Sequence, residues 1–369
     1  MLKLIFTFLF LMYLYPITIK AEDNNSIAQQ RIWAAKGDSC VQAYDFFHAM
    51  QFYNNLTEEF INQNASVTRN IAELYRRTGN NKAWFNTLVR VYSSQPDSMT
   101  YNDMRSLFFA SRSIEWDDFI TMIGNKILKT NPYDSEIVVS MASYFNDTKH
   151  PDKALELCGD YMQRDSTNLG VMRQYGYAAH LLGNSKVALE TYKKLEANGF
   201  DNYESALIIG YSLLKLDSAW NARPYLRKAV EKRKEGEYAS LLHLGNAYIA
   251  CGEYGEGIGC LYEVIETITP KNDLYYSLYN SIGEAYYKQK IYEKAAKAFL
   301  ECTKYKSDNP LVYYNIAQMC KGMKDDKREI KYSKMFLDIS HHLEDTPQNK
   351  ELIQSVEERV EYLSKHVTK

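Results

Sequence analysis

A small residue returns about every 34 positions over much of this chain of 369 residues, and the same companions return with it. The clearest unit is built around Gly283, with Ile282 before it, Tyr286 three residues after it, and then Ala295 and Phe299. The residues that correspond to Gly283 in the other units are Ala142, Gly176, Gly210, Gly245 and Ala317. A period of this length indicates a supersecondary unit that buries its apolar face only by stacking on its neighbours.

The spacing inside each unit predicts a pair of packed helices. Large apolar residues recur three and four positions apart, which places them on one face of a helix. Gly283 has no Cβ and Ala295 has only a methyl group, so two helices can approach closely there. No alternation typical of β-strands competes, and the glycines of the turns, such as Gly183, are those that end helices. The chain is therefore predicted to be all-α.

This pattern, L-G-x-x-Y followed by A-x-x-x-F, resembles the tetratricopeptide repeat, a helix–turn–helix unit of about 34 residues. The resemblance covers six consecutive units over residues 135–340. It implies a right-handed α-solenoid of stacked helix pairs. A chain of this family is expected to hold a partner rather than to transform a substrate.

The two ends of the array depart from the pattern, as terminal repeats do. Residues 26–134 are predicted to form divergent helical repeats, the first with helices at residues 27–36 and 39–54 separated by Gly37. Residues 345–366 are predicted to form a C-terminal capping helix, with Thr346 as its N-cap and Pro347 at its first position. The alternative for that helix is partner binding or dimerisation.

The first 21 residues have the composition of a secretory signal peptide. Lys3 precedes an apolar run over residues 4–15, and Ala21 ends the segment before a polar stretch. The run is shorter than the roughly 20 residues of a membrane-spanning helix. An uncleaved anchor and a chance apolar start remain as alternatives. We expect an exported protein, periplasmic or otherwise in the cell envelope or outside the cell, with no transmembrane span beyond this segment.

The charge of the chain is close to balanced. Removing residues 1–21 takes away Lys3 and Lys20 from the 44 basic side chains and none of the 46 acidic ones, which leaves 42 against 46, a net charge of −4. This balance carries no electrostatic footprint for nucleic acid, so we expect no nucleic-acid partner.

The six cysteines contain no C-x-x-C pair. Cys158 and Cys302 fall where the repeat has apolar or small core residues, and Cys320 replaces the repeat tyrosine. We therefore interpret them as buried small hydrophobic residues. Because an exported chain meets an oxidising compartment, a disulfide is the alternative, with Cys302 and Cys320 as the candidate pair.

No residue pattern calls for catalysis, a metal or a cofactor. The histidines lack the H-E-x-x-H spacing, and adjacent His341 and His342 are predicted to lie in a solvated linker. The glycine-rich stretch from Gly252 to Gly259 follows a helix rather than a strand and lacks the lysine of a phosphate-binding loop. We expect a protein without enzymatic activity.

The resemblance to tetratricopeptide repeats implies that the first helix of each unit lines a concave face. The side chains that point into it lie three residues before the small anchor, one after it and four after it. These positions predict a partner-binding surface of Arg173, Tyr177, His180, Tyr211, Leu214, Asn246, Asn280, Glu284, Tyr287, Tyr314, Gln318 and Lys321, with Leu207, Leu242 and Ile249 among them. Tyrosine and arginine combine a large contact area with a polar group, as binding surfaces require.

These features predict a protein-interaction scaffold that binds a peptide or helix of a partner. Family members that hold chaperone C-termini use paired basic and Asn residues. Here Asn246 has Leu242 one turn earlier and Arg173 is followed by Tyr177, so that clamp is not complete. We expect an accessory to cell-envelope assembly or secretion. The alternatives are binding of a small molecule or glycan by stacking on Tyr177, Tyr211 and Tyr287, and self-association into a homo-oligomer.

Overall fold

The computed structural model describes residues 27–268 and 272–366, and the regular structure within these ranges is entirely helical. The chain divides into two compact units, Met1–Met141 and Ala142–Lys369, and the division falls inside one helix. The predicted signal peptide, residues 1–21, lies outside the described residues. Among the described helices, none is both long and apolar enough to cross a membrane.

The first unit is a succession of short helices. In chain order they are α1 Ile27–Gln42, α2 Phe46–Tyr53, α3 Glu58–Gln63, α4 Ala65–Arg77, α5 Asn81–Ser94, α6 Tyr101–Ser113, α7 Asp117–Thr130 and the start of α8 Ser135–Asp147. Phe108, at a position where the repeat has a small residue, is fully buried. Phe85, Trp116 and Phe119 pack around one another, with ring centroids 5.1 to 5.2 Å apart.

The predicted break at Gly37 is wrong. Helix α1 continues through Gly37 to Gln42, and the second helix begins only at Phe46. A Cβ on Gly37 would lie 2.4 Å from Cε1 of Tyr53, so the glycine makes room for that ring instead of ending the helix. The hydroxyl of Tyr53 donates to Asp38 Oδ1 at 2.6 Å, which holds the ring in place.

The turn between these two helices lies at Tyr44, which adopts a left-handed φ of 60°. Asp45 then acts as the N-cap of α2 and accepts a hydrogen bond from the backbone N–H of His48. The sequence contains this capping signal, but the glycine at position 37 is the more conspicuous terminator of a helix.

The second unit alternates first and second helices of the repeats. After the end of α8 they are α9 Pro151–Met162, α10 Leu169–Leu181, α11 Ser185–Ala197, α12 Tyr203–Lys215, α13 Ala219–Lys232, α14 Ala239–Ala250, α15 Tyr254–Thr267, α16 Asn272–Lys288, α17 Tyr292–Cys302, α18 Pro310–Gly322, α19 Asp326–Ile339 and α20 Pro347–His366. This is the predicted solenoid of helix–turn–helix repeats with a C-terminal helix.

The small anchor residues act at the close approach of the paired helices. A Cβ on Gly210 would lie 2.6 Å from Cγ of Leu226, and one on Gly283 would lie 2.8 Å from the ring of Phe299. Their counterparts on the second helices, Ala222 and Ala295, are completely buried. In these two repeats the paired helices therefore approach most closely at a residue without a side chain.

Three of the six cysteines are buried as the sequence predicts, and the other three are half-buried. All six are free thiols, and Cys158, Cys302 and Cys320 are buried among apolar side chains. Burial raises the pKa of the Cys158 and Cys302 thiols to about 12, which keeps both protonated and unreactive.

Neighbouring repeats are also joined by hydrogen-bonded ion pairs about 30 residues apart. The guanidinium of Arg173 on α10 donates to Glu204 on α12, with Nε 2.9 Å from Oε1. Arg233 likewise reaches Glu263 at 2.6 Å. Because each ion pair bridges two adjacent repeats, it fixes the orientation of one repeat relative to the next.

Candidate functional site

Four aromatic side chains form a continuous row across the first helices of three successive repeats. Tyr177 and His180 lie on α10, Tyr211 on α12 and His243 on α14. Their ring centroids are 6.2 Å apart from Tyr177 to His180, 5.1 Å from His180 to Tyr211 and 4.6 Å from Tyr211 to His243. We call these four residues the aromatic ladder. All four are half-buried, so each ring packs on its neighbours and keeps part of its surface open.

The repeat register explains why these residues meet. Tyr177 and Tyr211 each follow the anchor glycine of their unit, Gly176 or Gly210, directly. His180 lies one helical turn after Tyr177, on the same face. His243 comes two residues before its anchor glycine, a position that the predicted concave register leaves out. The stacking of α14 on α12 nevertheless brings His243 against the ring of Tyr211.

The polar atoms of the aromatic ladder have no partner within the part of the chain that the structure describes. Neither the hydroxyls of Tyr177 and Tyr211 nor the ring nitrogens of His180 and His243 take part in a hydrogen bond of the described residues. Tyrosines elsewhere in the unit use theirs: Tyr192 donates to Glu204 at 2.6 Å. The ladder therefore combines half-buried rings with four polar groups left for a ligand.

Both histidines of the aromatic ladder are neutral at pH 7. Burial lowers the pKa of His243 from 6.5 to about 4, and nearby His180 and Lys215 act in the same direction. Burial also lowers the pKa of His180, although the carboxylate of Glu204 opposes it. A neutral imidazole has one N–H donor and one acceptor nitrogen, so each histidine can both donate and accept.

The charges beside the aromatic ladder are mostly compensated. Arg173 is paired with Glu204, which also accepts the hydroxyl hydrogen bond of Tyr192. The arginine and the tyrosine together hold the pKa of Glu204 below its usual range, although burial opposes them. The ammonium of Lys215 lies 5.5 Å from the ring centroid of Tyr211. The surface is thus aromatic and polar with little free charge.

The other predicted residues on the middle repeats lie near the aromatic ladder or beyond it. Leu214 and Asn246 are half-buried one turn after Tyr211 and His243. Asn280 on α16 donates to Glu284 Oε1 at 2.7 Å, and this pair contacts no ladder residue through a hydrogen bond. Leu207, Leu242 and Ile249 are half-buried on the same first helices.

The predicted residues of the last two repeats are placed separately. Tyr287 is exposed and packs on Tyr292, with ring centroids 6.3 Å apart. Tyr314 packs at 5.7 Å on Phe336, next to the C-terminal helix. Gln318 is half-buried and Lys321 is exposed. The structure therefore brings together Arg173, Tyr177, His180 and Tyr211, and it leaves Tyr287, Tyr314, Gln318 and Lys321 outside this group.

The described residues offer no competing centre for metal chemistry. Across residues 27–268 and 272–366, no group of three or more His, Cys, Asp or Glu side chains is placed to hold a metal ion. An open depression of about 590 Å³ in the first unit is lined by Tyr101, Arg105 and Asp134. Arg105 donates to Asp134 Oδ2 at 2.7 Å, so the charges there already satisfy each other.

Comparison with known proteins agrees with the repeat. Residues 276–309 match the family model of the tetratricopeptide repeat. No curated protein sequence matches the chain significantly.

Several solved structures are similar to parts of the chain. YrrB, described as a tetratricopeptide-repeat protein with an unusual peptide-binding site, is 21% identical over 52% of this chain and 96% of its own, with a TM-score of 0.44. MamA from Desulfovibrio magneticus RS-1 is 16% identical over 47% and 94%, with a TM-score of 0.41. PilW, described as a type IV pilus biogenesis factor, is 14% identical over 60% and 97%, with a TM-score of 0.47.

Proposed function

We propose that this chain, which belongs to the tetratricopeptide-repeat proteins, is a non-enzymatic scaffold that holds an extended segment of a partner protein on the aromatic ladder. One observation carries the proposal. Four half-buried aromatic side chains form one row, and the polar atom of each ring is free to bond a ligand. These polar atoms keep contact with solvent, so a bound segment can replace water as their hydrogen-bond partner.

The shape of the site favours an extended partner. The aromatic ladder crosses α10, α12 and α14 in a line, and it does not close around a single point. A peptide in extended conformation presents N–H and C=O groups at regular intervals along its length. The hydroxyls of Tyr177 and Tyr211 and the nitrogens of His180 and His243 match such alternating donors and acceptors. The rings supply the apolar contact area.

The test uses the full chain and a defined set of ligands. Peptides selected from a displayed random library should bind the native chain. They should bind Tyr211→Ala and His243→Ala at least tenfold more weakly, a loss of about 1.4 kcal/mol. Tyr262→Ala is the matched control, since Tyr262 is a partly exposed tyrosine on the second helix α15. Equal binding by the native chain and Tyr211→Ala would overturn the proposal.

A glycan array and light scattering separate the other ligands of this surface. Binding of a defined oligosaccharide that Tyr211→Ala abolishes, with no peptide binder, would assign the aromatic ladder to glycans. Concentration-dependent mass that Tyr211→Ala abolishes would assign it to a second copy of the chain.

We propose further that the protein works outside the cytoplasm, in the periplasm or elsewhere in the cell envelope, as an assembly or secretion accessory. The support is the sequence of residues 1–21, with its basic start, apolar run and terminal Ala21. Fractionation of cells that express a C-terminally tagged chain, with N-terminal sequencing of the product, tests this. Recovery of an unprocessed chain in the cytoplasm would contradict it.

A further inference from the structure

The last two repeats carry a patch of lysines on the edge where first helices end and second helices begin. Three of the lysines surround the turn from α16 to α17 and three surround the turn from α18 to α19. They are Lys288, Lys290, Lys294, Lys321, Lys324 and Lys327, which we call the basic edge. All six side chains are exposed. The basic edge lies on other repeats than the aromatic ladder.

The two turns of the basic edge are adjacent in space. A Cβ on Gly322, at the end of α18, would lie 3.0 Å from the ring of Tyr292 at the start of α17. Arg328 on α19 reaches back to Glu293 on α17 with an Nη2–Oε2 distance of 3.0 Å. The lysines of both turns therefore belong to one continuous surface.

The positive charge of the basic edge is not neutralised by its neighbours. None of the six lysines forms an ion pair with a described residue. The nearby carboxylates of Glu293 and Asp325 both accept from Arg328, which lowers the pKa of each and keeps both charged. The other acids beside these turns in the sequence are Asp326 and Glu284, and neither forms an ion pair with one of the six lysines. By contrast, Lys228 and Lys232 on α13 share the carboxylate of Asp201.

Two of these lysines occupy positions that favour glycine. Lys290 has a φ of 61° and Lys324 a φ of 56°, both in the left-handed region. The corresponding turns of other repeats have Gly183 there, with a φ of 74°, but also Lys149 and Asp217, with φ of 63° and 55°. A side chain in this conformation costs conformational energy, which glycine avoids. Glycine at Lys290 and Lys324 would therefore remove two charges of the basic edge without adding backbone strain.

Apolar side chains accompany the lysines on this surface. Tyr287 is 51% exposed and Ile291 is 37% exposed, and they lie on either side of Lys288 and Lys290 in sequence. Tyrosine beside lysine is the combination that settles at the headgroup level of a membrane. Lysine is a mobile point charge without the fork geometry of arginine, so it suits a diffuse anionic surface better than a single carboxylate.

We propose that the basic edge docks the protein on an anionic lipid bilayer, with the lysines against the headgroups and Tyr287 and Ile291 at the interface. Each lysine near an anionic leaflet adds to the attraction, and six act together. The docking does not depend on the segment-binding function of the aromatic ladder.

Vesicle co-sedimentation of the full chain tests the proposal. The protein should sediment with vesicles of equimolar phosphatidylglycerol and phosphatidylcholine, remain in solution with pure phosphatidylcholine, and dissociate as salt is raised. The double variant Lys290→Gly with Lys324→Gly should lower the affinity by on the order of tenfold. Because glycine relieves the left-handed strain, the variant should unfold at a temperature at least as high as that of the native chain. A loss of vesicle binding would then not reflect a loss of the fold.

The matched control is Lys149→Gly. Lys149 is also exposed and left-handed, with a φ of 63°, but it belongs to the turn between α8 and α9. Lys149→Gly removes one lysine and relieves the same kind of strain as each half of the double variant, and it should leave sedimentation unchanged. Tyr211→Ala should also sediment like the native chain, which separates this proposal from that of the aromatic ladder.

Three outcomes would overturn the proposal. The first is equal sedimentation of the native chain with neutral and anionic vesicles. The second is sedimentation of the double glycine variant that matches the native chain. The third is a loss of sedimentation in Lys149→Gly as large as that in the double variant. Failure to sediment with either vesicle, together with binding of poly-glutamate that the double variant loses, would assign the basic edge to an acidic polypeptide instead.

Discussion

Arg359 on the C-terminal helix donates two hydrogen bonds to the carboxylate of Glu329, which is a buried side chain of the last repeat. The Nε–Oε1 distance is 2.8 Å and the Nη2–Oε2 distance is 3.2 Å, while only 3% of the Glu329 side chain is exposed. Glu329 occupies a position where the repeat has alanine, and Ser333, also buried, replaces an aromatic residue. These two departures provide a polar environment for Arg359 and attach α20 to the last repeat.

Removal of Arg359 is expected to destabilise the C-terminal end. Arg359→Ala leaves the Glu329 carboxylate buried without its partner, at a cost of about 3 kcal/mol. The control is Lys365→Ala, since Lys365 pairs with Glu361 on the open side of the same helix and should cost less than about 0.5 kcal/mol. Urea unfolding measures both. A double variant, Glu329→Ala with Arg359→Ala, should recover part of the lost stability. Unfolding curves of Arg359→Ala that superimpose on those of the native chain would contradict the prediction.

Two glycine substitutions of the same kind should have opposite effects. Gly210→Ala places a methyl group 2.6 Å from Cγ and 3.2 Å from the backbone N of Leu226, so we expect a net loss of about 1–3 kcal/mol. Gly259→Ala, in the middle of α15, meets nothing within 4 Å and gains about 1 kcal/mol of helix propensity. Thermal unfolding distinguishes the two. A stabilised Gly210→Ala variant would show that the helices of that repeat separate easily.

Acid should weaken the fold through His243. Its pKa is 6.5 in the unfolded chain and about 4 in the folded chain, so between these values the unfolded state binds the proton first. The free energy of unfolding therefore falls as the pH drops from about 6.5 to about 4, by at most about 1.4 kcal/mol per pH unit for this group. His243→Gln should flatten that slope in urea unfolding at several pH values. The control His341→Gln, at an exposed histidine outside the aromatic ladder, should keep it.

The left-handed turn residues give a fourth prediction. Gly183 has a φ of 74° and open space around the position of a Cβ, so Gly183→Ala changes the backbone energy alone. We expect a loss on the order of 1 kcal/mol. Lys149→Gly makes the opposite change in another turn and should gain a similar amount. Calorimetry measures the unfolding temperature of both variants. Shifts of the same sign and size would show that the backbone of these turns adjusts without an energetic cost.

The helix pairs of the second unit follow from the sequence because the anchor residues of each repeat pack across their own helix pair. Gly283 needs Phe299 across the pair, and Ala295 completes the contact, so the spacing predicts the geometry. Gly37 misled the prediction because a glycine that admits Tyr53 and a glycine that ends a helix look alike in a sequence.

The candidate site was predicted in part for a related reason. Tyr177, His180 and Tyr211 lie in the concave register, so the repeat identifies them. His243 does not, because it reaches Tyr211 only through the rotation of one repeat on the next, a quantity that no single repeat contains. Conversely, Tyr314 has the right register but packs on Phe336, because the last repeat adjoins the C-terminal helix.

The stacking of the repeats in the second unit also determines the order in which its surfaces unfold. Its principal contacts join helices that are neighbours along the chain, so the array can unravel from its C-terminal end one repeat at a time. The repeats with Lys290 and Lys324 would detach first, while Tyr211 keeps structured repeats on both sides. As unfolding conditions become stronger, the basic edge would therefore lose its structure before the aromatic ladder does.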